Sequence, residues 1–300
     1  MKLALTGLGV VSPIGIGISN FCAALKKGRS NFSILELSHL EQQYKFPVAL
    51  VNEFNYKEAI TSLVNGTNIA KKAKRIRNLS EGAKHGVYAA LEAWKNANLF
   101  DSSINPERVA IIASGSNTQS ATTYYIQERY REKLNFLNPT YGFRFFDSDI
   151  IGTLSELLNI RGEGFSIGAA SASGNMSIIQ ASRLLESKLY DIVLVVAPSM
   201  ELSIYEYQAF TALGAMASIN SDRGISTIYN PFDKTQSGFV YGQNAGAIVL
   251  ESIDSAQKRK VKVGPSMIAY GNVTRCKSKS KPFSSGGNKS YASRNRYGKN

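Results

Sequence analysis

The residues with the most chemical promise form one short run, Ala169-Ala170-Ser171-Ala172-Ser173-Gly174. Small side chains at every position permit a tight turn, and a helical pattern follows from about Gly174 to Lys188. Such a turn would push one hydroxyl toward a cleft, beside the free N–H groups and positive potential of a helix N-terminus. That arrangement suits a nucleophile or an anion site, by the logic of the serine elbow of hydrolases. The plainer alternative is that Ser171 or Ser173 only caps the helix. A serine nucleophile also needs a base, and the chain has only His39 and His85. His39 reads as part of a polar connection. His85 falls in a helical stretch, where a surface or packed ring is the default. There is no G-x-S-x-G motif, no P-loop and no G-x-G-x-x-G after a strand. Pro13 argues against a helix opening after Gly7-Leu8-Gly9.

Several elements must position that turn. Leu3 to Thr6 reads as a buried strand entering a turn at Gly7-Leu8-Gly9. Asn20 to Lys27 has helical spacing, with Cys22 read as a packing residue. Ser80 to Ala97 predicts a helix capped by Ser80, with Val87, Leu91 and Trp94 on one face. Arg108 to Ala113 predicts a buried strand and Asp149 to Asn159 a helix. A glycine-rich passage, Gly162 to Gly168, precedes the small-residue turn. Asp191 to Ala197, Ala247 to Glu251 and Met267 to Tyr270 complete the strands. Apolar strands alternating with helices imply an α/β sheet covered on both sides.

The chain has 300 residues, 43% of them hydrophobic, which is ample for a buried core. No run approaches the ~20 apolar residues of a membrane span, and Met1 to Gly9 lacks the features of a signal peptide. The two cysteines, Cys22 and Cys276, give no disulfide framework and no metal cluster. The expectation is a cytoplasmic protein without a metal. The net charge of +13 is concentrated in residues 275–300, which hold eight basic and no acidic residues, so the rest carries +5. Residues 275–300 are read as a basic, disordered tail behind a domain spanning 1–274, and binding to nucleic acid is disfavoured.

Four passages in order resemble the β-ketoacyl synthase family. Thr6-Gly7-Leu8-Gly9-Val10-Val11-Ser12-Pro13-Ile14-Gly15 is similar to its first strand and turn. Ser166-Ile167-Gly168-Ala169-Ala170-Ser171-Ala172-Ser173-Gly174 resembles its active-site passage, S-I-x-T-A-C-A-S-G. Ala209 to Ser218 is similar to the segment that follows. Asn230-Pro231-Phe232-Asp233 and Gly238 to Gly246 resemble P-F-D…D-G-F-V-x-G-E-G-A-G. The resemblance implies a thiolase-like layered α/β fold, of which this chain holds the N-terminal half and only a truncated C-terminal half. It also implies a homodimer or a ketosynthase-like heterodimer. It implies no cofactor of its own, the substrate arriving on the phosphopantetheine of an acyl carrier protein.

The resemblance places Ser171 as the catalytic residue, where the family has its nucleophilic cysteine. A serine hydroxyl is far the poorer nucleophile at neutral pH, so acyl loading and condensation should be lost. Decarboxylation of a held malonyl thioester needs only donors for the developing enolate oxygen. Serine here looks like a branch that converts malonyl- to acetyl-carrier protein in the β-branching cassettes of bacterial polyketide pathways. Three alternatives stand beside it: a noncatalytic partner like a chain-length factor, an inactive truncated remnant, and an ordinary 3-oxoacyl-carrier-protein synthase of fatty acid synthesis. The family's two active-site histidines, in H-G-T-G-T and G-H-x-x-G-A contexts, lie in a second half not found in this sequence. A cut or a shift of reading frame near Arg275 is expected, and the chain by itself is expected to be inactive without those histidines. Gln236-Ser237 and Gln243-Asn244 also depart from the family's Arg-Asp and Glu-Gly.

Overall fold

A computed structural model describes residues 3–267, apart from 77, 143–145 and 220–223. The expected strand Met267 to Tyr270 is therefore seen only at its start, and the tail 275–300 lies outside the described residues. The main sheet has the order β10-β1-β9-β7-β5-β6, with the short β2 paired to β1. Its strands are β1 (Leu3–Ser12), β2 (Gly15–Ile16), β5 (Val109–Ser114), β6 (Gly164–Ile167), β7 (Ile192–Ala197), β9 (Ala245–Ser252) and β10 (Ser266–Met267). β5, β6 and β7 are parallel, while β9 runs antiparallel to both β1 and β7.

The sheet is covered on both faces, as the apolar strands require. Val109, Ile111 and Ala113 of β5 point, with Ile192, Leu194 and Val196 of β7, into a cluster closed by α4 (Glu81–Asn96) and α6 (Asp149–Leu158). Ala110, Ile112, Val193 and Val195 point the other way and pack on Ala181, Leu184 and Leu185 of α7 (Ser173–Glu186). Ser80 caps α4 by accepting from the Ala83 amide at 3.1 Å, as its sequence predicts.

The strand β1 does not turn at Gly7-Leu8-Gly9 but runs through it to Ser12. The glycines serve close packing instead. A Cβ on Gly7 would lie 2.0 Å from the Ala93 carbonyl oxygen, and one on Gly9 would lie 1.9 Å from that of Ala89. Helix α4 therefore rests directly on the β1 backbone. It also reaches round to α1 (Ile18–Lys26), whose Gly17 offers no side-chain cap. The buried Glu92 carboxylate substitutes, accepting from the Val10 amide at 3.0 Å and the Ile18 amide at 2.8 Å. Cys22 on α1 is exposed, so it is not a packing residue. Only Ala24 of that short helix is fully buried.

A second sheet, β3-β4-β8, has no counterpart in the sequence reading. β3 (Ser33–His39) and β4 (Gln42–Ala49) form a hairpin, and β8 (Tyr241–Gly242) joins β4 in parallel. His39 is the last residue of β3 rather than part of a connection. The hairpin loop is Leu40-Glu41, with φ of 45° and 64°. Turns of that hand normally carry Asn-Gly, and Leu-Glu gives no warning of one.

Ser177, on α7, is wholly buried, and its hydroxyl has no hydrogen-bond partner among the described residues. A buried unpaired hydroxyl costs roughly 1–3 kcal/mol, and alanine is the better helix former. Ser177→Ala is expected to stabilise the fold by about 1 kcal/mol, a rise of about 2–4 °C in Tm by calorimetry.

Candidate active site

The turn before α7 is built by its neighbours. β6 ends at Ile167, whose carbonyl accepts from the Gly115 amide at 2.8 Å, bringing the loop after β5 alongside. Gly168 must lack a side chain because a Cβ there would lie 2.9 Å from both Cβ and Oγ of Ser116. Ala170 then takes the left-handed region at φ 47°, a strained choice for a residue with a Cβ. The Ser173 hydroxyl holds it there, accepting from the Ala169 amide at 2.9 Å and donating to the Ala170 carbonyl at 2.7 Å. Ser173 is therefore a structural staple, which decides one half of the choice that the sequence left open.

Ser171 lies at the crown of this turn, in a single 3-10 turn, Ala170–Ala172, that leads into α7. It is exposed, and its hydroxyl has no partner among the described residues. The N-cap position of α7 is Ala172, which supplies no side-chain cap. The Ala172 and Ser173 amides close the 3-10 turn on the Ala169 and Ala170 carbonyls, so what Ser171 meets is the positive end of a helix dipole that no side chain caps. Asp147, which sequence reasoning missed, braces the surroundings. Its carboxylate accepts from the Thr118 amide at 3.1 Å and hydroxyl at 2.8 Å, and its carbonyl accepts from the Ser166 hydroxyl at 3.3 Å. An isolated aspartate in a polar loop carries no pattern that would have marked it.

Neither histidine serves Ser171 as a base. His85 is buried, with Nδ1 2.9 Å from the Ser199 hydroxyl and its ring edge-on to Phe54. Nδ1 of His39 lies 3.4 Å from the Tyr124 hydroxyl, and its ring meets Tyr205. Burial pulls His85 down to about 4 from its ordinary 6.5. The unfolded chain therefore takes up a proton that the folded chain refuses between those values. Stability should be complete above pH ~6.5 and fall by on the order of 3 kcal/mol as pH drops toward ~4. Glu92, raised by burial, acts in the opposite direction. Urea midpoints measured from pH 7 to pH 4.5 check the slope, which His85→Gln should flatten.

Two further sequence motifs meet in space. Phe239 pairs with Met216, its amide donating to the Ala215 carbonyl at 2.8 Å and its carbonyl accepting from the Ala217 amide at 2.8 Å. Its ring lies 5.4 Å from that of Phe210. The unusual Gln243, just after β8, reinforces the pairing of β8 with β4, its side-chain oxygen accepting from the Val51 amide beyond the end of β4 at 2.9 Å. Ser237 accepts from the Ser218 amide at 3.3 Å. These departures thus have structural partners. Pro231 to Asp233 lies on the surface, with the Phe232 ring fully exposed. Among the described residues no group of three or more His, Cys, Asp or Glu is placed to hold a metal. No described helix is long and apolar enough to cross a membrane.

Residues 1–256 match the family model described as "Beta-ketoacyl synthase, N-terminal domain". The chain is 30% identical over 261 residues to the polyketide biosynthesis malonyl-ACP decarboxylase PksF of Bacillus subtilis, covering 87% of this chain and 60% of that protein. It is 27% identical over 290 residues to a 3-oxoacyl-[acyl-carrier-protein] synthase homolog of Saccharomyces cerevisiae, covering 90% and 63%. The chain thus spans about three fifths of the length of these relatives. Among solved structures, the ishigamide ketosynthase/chain length factor superposes with a TM-score of 0.68 at 23% identity, over 87% of this chain and 61% of that one. That likeness establishes the thiolase-like layered α/β fold, over the N-terminal half.

Proposed function

Because the chain belongs to the β-ketoacyl synthase family, whose N-terminal domain it carries, we propose that it supplies the serine half of a malonyl-acyl-carrier-protein decarboxylase of polyketide biosynthesis. The observation that carries this reading is Ser171. It occupies the exposed crown of the turn at the start of α7, with the uncapped positive end of the helix dipole beside it and no base to make it a nucleophile. The relative named for the same reaction supports it.

In this reading the malonyl group arrives on the phosphopantetheine of an acyl carrier protein, and the chain needs no other cofactor. The bond between the malonyl carboxylate and its α-carbon breaks, and carbon dioxide leaves. The electron pair passes into the thioester as an enolate, whose oxygen is met by N–H donors. A proton from solvent then gives acetyl-carrier protein. No bond to Ser171 forms, so its hydroxyl serves as a small polar wall that withholds acyl transfer. The complete site is proposed to need the second half that the relatives possess, and to work as a dimer.

The test is to join the chain to the second half of the Bacillus subtilis relative and incubate it with malonyl-loaded carrier. Acetyl-carrier is the expected product by mass, and malonyl-carrier left unchanged by the folded protein would contradict the reading. A second reading, a noncatalytic partner of a cysteine-bearing synthase, rests on the same missing thiol. Co-purification with such a synthase, with no decarboxylation, would favour it.

A further inference from the structure

A cavity of about 470 Å³ lies at the end of the main sheet opposite Ser171. Ser171 follows the C-terminal end of β6, whereas this cavity opens at Val109 and Ile192, where the parallel strands β5 and β7 begin. It is independent of the proposed reaction. Its size is that of a small-molecule site. Ile104, Leu185 and Tyr190 give it apolar walls.

Its charged lining divides into groups that are spoken for and groups that are not. Arg108 grips Asp191 through two hydrogen bonds, at 2.6 and 2.8 Å, and donates to the Lys188 carbonyl at 2.9 Å. Arg259 is spent on Glu251 and on the carbonyls of Ala97 and Asn98. The Lys188 and Lys258 ammonium groups line the cavity without an ion pair or a hydrogen bond of their own among the described residues, Lys258 acting on Asp191 only through its field, and Asp254 is the one lining carboxylate left uncommitted with them. Lys188 is also held in an unusual backbone. It follows the last turn of α7 with φ 61°, where glycine is the usual residue. The Arg108 bond to its carbonyl holds that backbone conformation, which sets where the side chain leaves the chain.

We infer that this cavity binds a small amphipathic anion, its apolar body against Ile104, Leu185 and Tyr190 and its carboxylate or phosphate between Lys188 and Lys258. The apolar walls explain why a bare inorganic ion would leave most of the volume unused. The two lysines explain why a neutral apolar molecule would leave the charge unanswered.

Calorimetric titration of the chain with octanoate, octyl phosphate and octanol tests this. At least one of the two anions is expected to bind about tenfold or more tightly than octanol, the worth of one charge-assisted contact. Whichever does so names the head group. The advantage should vanish in Lys188→Gly/Lys258→Gln, a variant that suits the left-handed backbone at 188 and keeps the wild-type urea midpoint. Equal affinity for anions and octanol, or an anion affinity that survives the double variant, would overturn the inference.

Discussion

Arg259→Ala is expected to cost about 3–5 kcal/mol of stability, read as a fall in urea midpoint at pH 7. Its partner Glu251 is wholly buried in β9. The carboxylate accepts from Arg259 at 2.7 and 3.1 Å, from the Thr6 hydroxyl at 2.6 Å and from the Ser255 hydroxyl at 3.0 Å. Thr6 falls at the irregularity in the β1–β9 register, between Leu5 and Gly7. Arg259 in turn donates to the Ala97 and Asn98 carbonyls at the end of α4. One cation therefore joins β9, β1 and α4 at the lower edge of the sheet. Removing it leaves a buried carboxylate without its charge partner, which is dearer than never having had the pair. Replacing both partners, as Glu251→Leu/Arg259→Met, should recover most of the loss. A cost below ~1 kcal/mol for Arg259→Ala would show that the pair is solvated in solution.

Ser171→Cys is expected to create a nucleophile where there is none. Measured in a Cys22→Ser/Cys276→Ser background, incubation with an acyl thioester should give a covalent acyl adduct on this variant. Its rate should exceed that of the serine parent by on the order of a hundredfold or more. The positive end of the α7 dipole, which no side chain caps, favours a thiolate, whereas a serine hydroxyl needs a base that neither His39 nor His85 provides. Equal adduct on the serine parent would mean that an activating group serves Ser171 after all. No adduct on the cysteine variant would mean that the turn does not expose position 171 as a nucleophile.

Much of this arrangement was legible in the sequence where hydrophobic pattern and local chemistry agreed. Asp-Ile-Val-Leu-Val-Val-Ala could be little else than a strand buried on both faces, and it is. Ser80 announced its helix. The small-residue run from Ala169 announced its turn, and the order of the four motifs announced the family. What was hidden depends on partners remote in sequence. Gly7-Leu8-Gly9 looks like a turn until α4 is laid upon it. The Leu40-Glu41 hairpin lacks turn residues and is secured by the packing of Phe46 and Val48 against Leu202 and Tyr207. Asp147 matters only because β6 and the loop after β5 meet there. Local chemistry alone left Ser171 and Ser173 interchangeable; the family motif pointed to Ser171, and the hydrogen bonds of Ser173 give it a structural role.

In the proposed function, serine at position 171 uncouples decarboxylation from condensation. The most direct measurement offers malonyl-carrier and acyl-carrier together to the chain joined to the second half of its Bacillus subtilis relative, with Ser171→Cys alongside, and reads every carrier by mass. The serine protein is expected to yield acetyl-carrier and leave the acyl-carrier untouched, while the cysteine variant loads the acyl group. A β-ketoacyl-carrier formed by the serine protein would contradict the account.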